Sequence, residues 1–162
     1  MRENINYIAK PFLKWAGGKT QLIKQIKNNL PEIVFKEKFT YIEPFVGSGA
    51  VLFWLLSEFP NMKKAVINDI NKELIDTYRA IAENPEQLIA ILNSLQIEYH
   101  ALEEQQEAKK AYYYEKRALF NSKCEEKVMQ SALFIFLNRT CFNGLYLSLI
   151  HISEPTRQAE IS

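Results

Sequence analysis

The chain has 162 residues, of which 48% are hydrophobic and 24% charged, with a net charge of +1. That is the composition of an ordinary soluble globular protein, and so small a net charge excludes a bulk electrostatic argument for nucleic acid, leaving any basic surface local. Cys124 and Cys141 fit no metal-ligand spacing and only His100 and His151 offer imidazoles, which disfavours a zinc site and favours reduced thiols in a cytosolic protein, and the N-terminus shows no apolar leader core and no stretch reaches membrane-span length.

Residues 1–10 are polar and read as a loose arm. Residues 11–20, PFLKWAGGKT, form a short apolar segment followed by a glycine pair. Leu22, Ile23, Ile26 and Leu30 then recur at helical spacing, and Pro31 ends that helix. Gly18, Lys19 and Thr20 have the ending of a phosphate-binding P-loop, but that motif requires a glycine where Leu13 stands. Trp15 as a core residue and Lys19 as a solvated helix-start lysine stay open at this point.

The organising stretch is YIEPFVGSGAVLF, from Tyr41. Aromatic and β-branched residues at 40–45 predict a buried strand. Gly47 and Gly49 allow a sharp turn and a close backbone approach to a ligand, and the apolar run 50–56 predicts a helix on the sheet. A strand, a glycine turn and a helix N-terminus make the general geometry of a nucleotide-like cofactor site. The dinucleotide fingerprint wants a third small residue where Leu52 stands, which counts against NAD or FAD. Residues 63–68 predict a second strand, followed by Asp69, placed where a βαβ unit sets a carboxylate against ribose hydroxyls. A ribose-bearing cofactor is favoured; the alternative is that Asp69 caps the helix starting near Asn71.

Helical texture follows. Leu74, Ile75, Tyr78 and Ile81 share a face, Pro85 opens a new helix, and Leu88, Ile89, Leu92 and Leu95 continue it. Residues 98–110 are strongly charged and read as an exposed helical face or a loop. Tyr112, Tyr113 and Tyr114 lead a helix to Phe120; among Lys109, Lys110, Lys116 and Arg117 they could touch nucleic acid, though packing beneath solvated lysines is the plainer reading. Residues 126–137 form a last helix that runs into NRTCFNGLY, whose Asn143-Gly144 pair signals a turn. Asn, Arg and an aromatic around a turn suit DNA readout or insertion, with a simple helix-stop loop as the alternative.

Four segments in order, PFLKWAGGKTQ, YIEPFVGSGAVLF, INDINKELI and FLNRTCFNGLY, resemble the Dam-type (D12 class) DNA adenine methyltransferases over about residues 10–146. The resemblance implies an α/β fold, a Rossmann-like sheet binding S-adenosylmethionine (SAM), and methyl transfer to adenine N6 in double-stranded DNA. It implies cofactor roles for Trp15, Lys19, Phe45, Gly47, Gly49 and Asp69. Lys14, Arg139 and Asn143 match DNA-contacting residues, and Phe142 an aromatic inserted beside the flipped base. Residues 1–75 are expected to form the SAM-binding part, and 76–146 the helical part of a target-recognition domain. A bacterial or phage-encoded cytoplasmic monomer is expected, with a cognate restriction endonuclease as a possible partner and no membrane.

The family's chemistry uses an Asp-Pro-Pro-Tyr motif, which these 162 residues do not contain. In the family that motif holds the amine of an adenine swung out of the duplex, in line with the sulfonium methyl. No catalytic residue is therefore nominated, and the chain is expected to be an inactive fragment with a truncated sheet whose apolar edge is exposed. Leu147 also follows Tyr146, where family members continue with an arginine and a hairpin. Residues 147–162, LSLIHISEPTRQAEIS, can be encoded by codons resembling a sequencing-library transposon end and primer. They are expected to be translated adapter; a divergent natural tail is the alternative. Two other classes stay open, a non-catalytic SAM- or DNA-binding module and a P-loop nucleotide-binding enzyme.

Overall fold

The computed structural model describes residues 9–15, 19–102, 105–123 and 125–141 with their side chains, and the backbone of 157–161. The fold is mixed α/β and mostly helical, with a small parallel strand pair. A 3-10 turn, Lys19–Leu22, leads into α1 (Ile23–Asn28) and the short α2 (Ile33–Lys36). Strand β1 (Phe39–Glu43) follows, then α3 (Ala50–Glu58), β2 (Met62–Asp69) and α4 (Lys72–Glu83). Three further helices complete the described body: α5 (Pro85–His100), α6 (Gln106–Ser122) and α7 (Lys127–Thr140).

β1 lies parallel to β2, with Tyr41 opposite Ala65 and Glu43 opposite Ile67. Along β2, Ala65, Ile67 and Asp69 are buried in alternation, so one face of the strand looks into the core. β1 stops at Glu43, short of the predicted Phe45, because Pro44 has no N–H to continue a ladder. The other edge of β2 carries a strand with no sequence expectation, β3 (Arg157–Ile161), antiparallel with Ile161 opposite Ala65. The expectation of an open edge therefore fails on that side of β2. Residues 147–156 and Ser162 lie outside the described residues.

Each helix has a local cause. The side chain of Asn71 caps α4 by accepting the Leu74 N–H at 2.9 Å, and the predicted face buries Leu74, Ile75 and Tyr78. Pro85 sits in the first turn of α5. α7 is the hub: it packs on α4, α5 and α6, and eight of its residues from Val128 to Asn138 are buried. One apolar cluster runs from Leu13, Val46, Leu52 and Ile67 through Leu74 and Tyr78 to Leu133 and Leu137, so the core is continuous across residue 75. A smaller cluster of Val51, Leu55 and Phe59 packs under Ile26, Leu30 and Val34.

The charged stretch 98–110 proves to be the end of α5, a connection, and the start of α6. Tyr112 packs edge-on to Phe136 at 5.7 Å, and Tyr99 to Phe136 at 5.5 Å. The Tyr112 hydroxyl donates to Glu98, and Lys116 lies 4.6 Å from the Tyr112 ring centre. The packing reading of this tyrosine is the one the structure bears out. Among the described residues no helix is long and apolar enough to cross a membrane.

Candidate functional site

Because β1 and β2 run parallel, the loops leaving Glu43 and Asp69 emerge side by side at one end of the sheet. Two backbone donors stitch them together, and a third braces Asp69 within its own loop. The Val46 N–H donates to the Asn68 carbonyl at 2.9 Å, Gly47 N–H to Asp69 Oδ2 at 3.0 Å, and Asn71 N–H to Asp69 Oδ1 at 3.0 Å. Asp69 is 8% exposed and spans both loops. The capping alternative for it is replaced, since Asn71 itself caps α4 while Asp69 holds the glycine turn.

Gly47 (φ +52°) and Gly49 (φ +77°) both occupy the left-handed region, which an L side chain enters only with strain. A Cβ on Gly47 would stand 3.2 Å from Nε1 of Trp15, so that indole covers the turn. A Cβ on Gly49 would stand 2.5 Å from the Tyr78 hydroxyl. That hydroxyl donates to the Gly47 carbonyl at 3.0 Å. Burial, then the Glu43 and Asp69 charges, push its pKa far above the ordinary value, so Tyr78 remains a donor at any physiological pH.

Lys19 donates to Glu43 Oε1 at 2.7 Å and to the Phe45 carbonyl, fixing the start of the 3-10 turn against the end of β1. Glu43 is 4% exposed, and its Oε2 is buried with no hydrogen-bond partner among the described residues. The Tyr41 hydroxyl feels this carboxylate; burial first, and then Glu43, raise its pKa well above the usual range. Phe45 projects outward at 71% exposure. Trp15, Lys19, Phe45, Gly47, Gly49 and Asp69 thus gather around one turn. Gly18 of the P-loop ending lies outside the described residues.

The Lys14 ammonium donates to the Arg139 carbonyl at 3.1 Å, which brings together two of the residues expected to face DNA. Phe142 and Asn143 lie outside the described residues. Three contributors were not nominated from sequence. In the sequence Glu43 stands only within the predicted strand 40–45, Tyr78 only as an apolar-face residue, and Asn138 only within a turn motif. Asn138 is 1% exposed and bonds the backbone of Lys14. Among the described residues no three His, Cys, Asp or Glu side chains gather as a metal site needs.

A cleft of about 570 Å³ runs beside α3, lined by Thr20, Ile23, Phe53 and Trp54 among others. Its lining includes Ala50, next to Gly49, but neither Asp69 nor Gly47 nor Trp15.

The family model described as D12 class N6 adenine-specific DNA methyltransferase matches residues 15–149. The chain is 49% identical over 141 residues to the type II methyltransferase M.MjaIII of Methanocaldococcus jannaschii, covering 85% of this chain and 47% of that protein. It is 39% identical to the type II methyltransferase M1.LlaDCHI of Lactococcus lactis subsp. cremoris, covering 85% and 43% respectively. A DNA adenine methylase of Haemophilus influenzae is 35% identical, with 84% and 42% covered. The chain therefore spans less than half the length of these relatives. The glycine turn bonded to Asp69 lies within the matched stretch, and the chain belongs to the D12 class N6 adenine-specific DNA methyltransferase family.

Proposed function

We propose that this chain carries the SAM-binding part of a site-specific DNA adenine methyltransferase, built on a Rossmann-like sheet, that acts on adenine N6 in double-stranded DNA. The observation that carries the cofactor assignment is the turn itself: Gly47 held by Asp69, covered by Trp15, and near a buried carboxylate oxygen of Glu43 that has no hydrogen-bond partner among the described residues. Buried carboxylate oxygens are rarely left unpaired, so the site fits a ligand that brings a hydrogen-bond donor. The methionine ammonium of SAM supplies one.

Each residue then has a physical task. A carboxylate offers about four acceptor positions, so Asp69 can hold two backbone N–H groups and still accept from ribose hydroxyls. Gly47 and Gly49 keep side chains out of the approach, and the N-terminus of α3 adds donor density beside it. Lys19 holds Glu43 in place, while Phe45 and Trp15 give aromatic surface to the bound molecule. SAM brings the electrophilic methyl; the Asp-Pro-Pro-Tyr motif that would orient an adenine amine toward it is not among these residues.

Residues 76–146 are assigned to target recognition, with Lys14, Arg139, Phe142 and Asn143 facing DNA. The working location is the bacterial or phage-infected cytoplasm. Calorimetric titration of the 162-residue chain with SAM, paired with a methyl-transfer assay on adenine-containing duplex DNA, tests the reading. Saturable SAM binding without transfer is expected. SAM binding lost in Asp69→Ala while thermal unfolding stays cooperative supports the site; no binding by the wild-type chain overturns it. Transfer by this chain would show that catalysis does not need the missing motif.

A further inference from the structure

We propose that Asn138 is a positioning residue for the cofactor site, holding the segment that carries Trp15 although it lies at the far end of α7. This rests on the SAM reading above. The Lys14 N–H donates to Asn138 Oδ1 at 2.8 Å, and Asn138 Nδ2 donates to the Lys14 carbonyl at 2.9 Å. One side-chain amide therefore satisfies both backbone groups of one residue, as a neighbouring β-strand would. At 1% exposure the amide has no competing water, so losing it strands two backbone polar groups in a partly buried place.

The consequence for the site follows from what flanks Lys14. Leu13 is buried in the main core, and Phe12 packs edge-on to Tyr78 at 5.3 Å. Trp15, the next residue, lies against Gly47. Between the Phe12 anchor and the Trp15 cover, the backbone is fixed by Asn138. The Lys14 ammonium rests on the Arg139 carbonyl, in the last turn of α7, where the helix dipole favours a cation. Displacing that turn moves the lid of the turn that Asp69 holds.

The test uses the full 162-residue chain in a Trp54→Phe background, so that fluorescence reports Trp15. Amide exchange at Lys14 and the SAM titration are read on the same samples. Asn138→Ala is expected to speed Lys14 exchange, shift Trp15 emission and raise the SAM Kd at least tenfold, with helical circular dichroism unchanged. Asn138→Ser, a smaller disturbance of α7, shows the same direction and serves if the alanine variant unfolds. Leu133→Ala, a core truncation in the same helix, is expected to lower Tm yet leave the Kd of the folded fraction within about twofold. Equal SAM affinity in Asn138→Ala and wild type sinks the proposal alone, as does equal loss in Leu133→Ala. A wild-type chain that ignores SAM removes the cofactor reading and this proposal with it.

Discussion

Asp69 shows how one carboxylate joins two loops: each oxygen takes one backbone N–H, from Gly47 and from Asn71. The geometry around it leaves little freedom at its neighbours. Gly49→Ala places a methyl into the Tyr78 hydroxyl and keeps φ at +77°, so we expect a loss of about 1–3 kcal/mol from the backbone alone and more from the clash. Urea unfolding measures it; a change below the lower figure would mean that the turn relaxes. Tyr78→Phe keeps the ring and removes the donor to the Gly47 carbonyl, which is expected to cost about 1 kcal/mol and to weaken SAM binding more than it lowers Tm. At this scale the glycines and Asp69 were legible, because their signal is local spacing. Glu43, Tyr78 and Asn138 were not, since their roles arise from partners that only the folded chain brings near. Asn138 and Lys14 stand 124 residues apart, beyond any motif window.

At the scale of elements, the periodic helices and the two parallel strands were readable from hydrophobic pattern and capping chemistry. The short α2 was not, because four residues carry too little period to register. β3 was missed because its stretch had been set aside as a tail. α4 offers two tests. Asn71→Ala removes the side-chain acceptor that caps its first turn and is expected to cost about 1 kcal/mol in thermal unfolding. Glu73 meets Lys123 at 2.8 Å, across to the end of α6. Burial alone raises this carboxyl, but the Lys123 hydrogen bond, a backbone hydrogen bond and the Lys123 and Lys72 charges outweigh it, holding it below its ordinary 4.5. Its stabilisation is thus complete above that value and lost as pH falls through the lower, folded one. The Tm gap between wild type and Glu73→Gln should be open at pH 7 and close as pH falls below 4.5 through the lower, folded value. A gap that does not change with pH would assign the contribution to packing.

For the whole molecule, the continuous core matters more than the boundary drawn at residue 75. Leu13 and Val46, beside the turn, belong to the same buried cluster as Leu133 and Leu137 of α7. The fold class was legible as α/β, and the family from four short segments. The physical dependence of one part on the other was not, because burial across distant segments leaves no periodic trace in either. The sheet is small and asymmetric: β2 is paired on both edges, while β1 has no outer partner among the described residues. That open edge of β1 is where association of copies is expected, and light scattering against concentration checks it.

The Lys14–Asn138 amide pair also sets an order of events during synthesis. The arm bearing Trp15 leaves the ribosome well before the side chain that fastens it, which arrives 124 residues later. Until then the arm has the contacts of Phe12 and Leu13 but not the amide pair, whose long loop closes at an entropic cost that the completed α7 offsets. The fastening of the Trp15 segment over the glycine turn is therefore complete only once α7 has cleared the exit tunnel, although the groups lining the turn are made well before it.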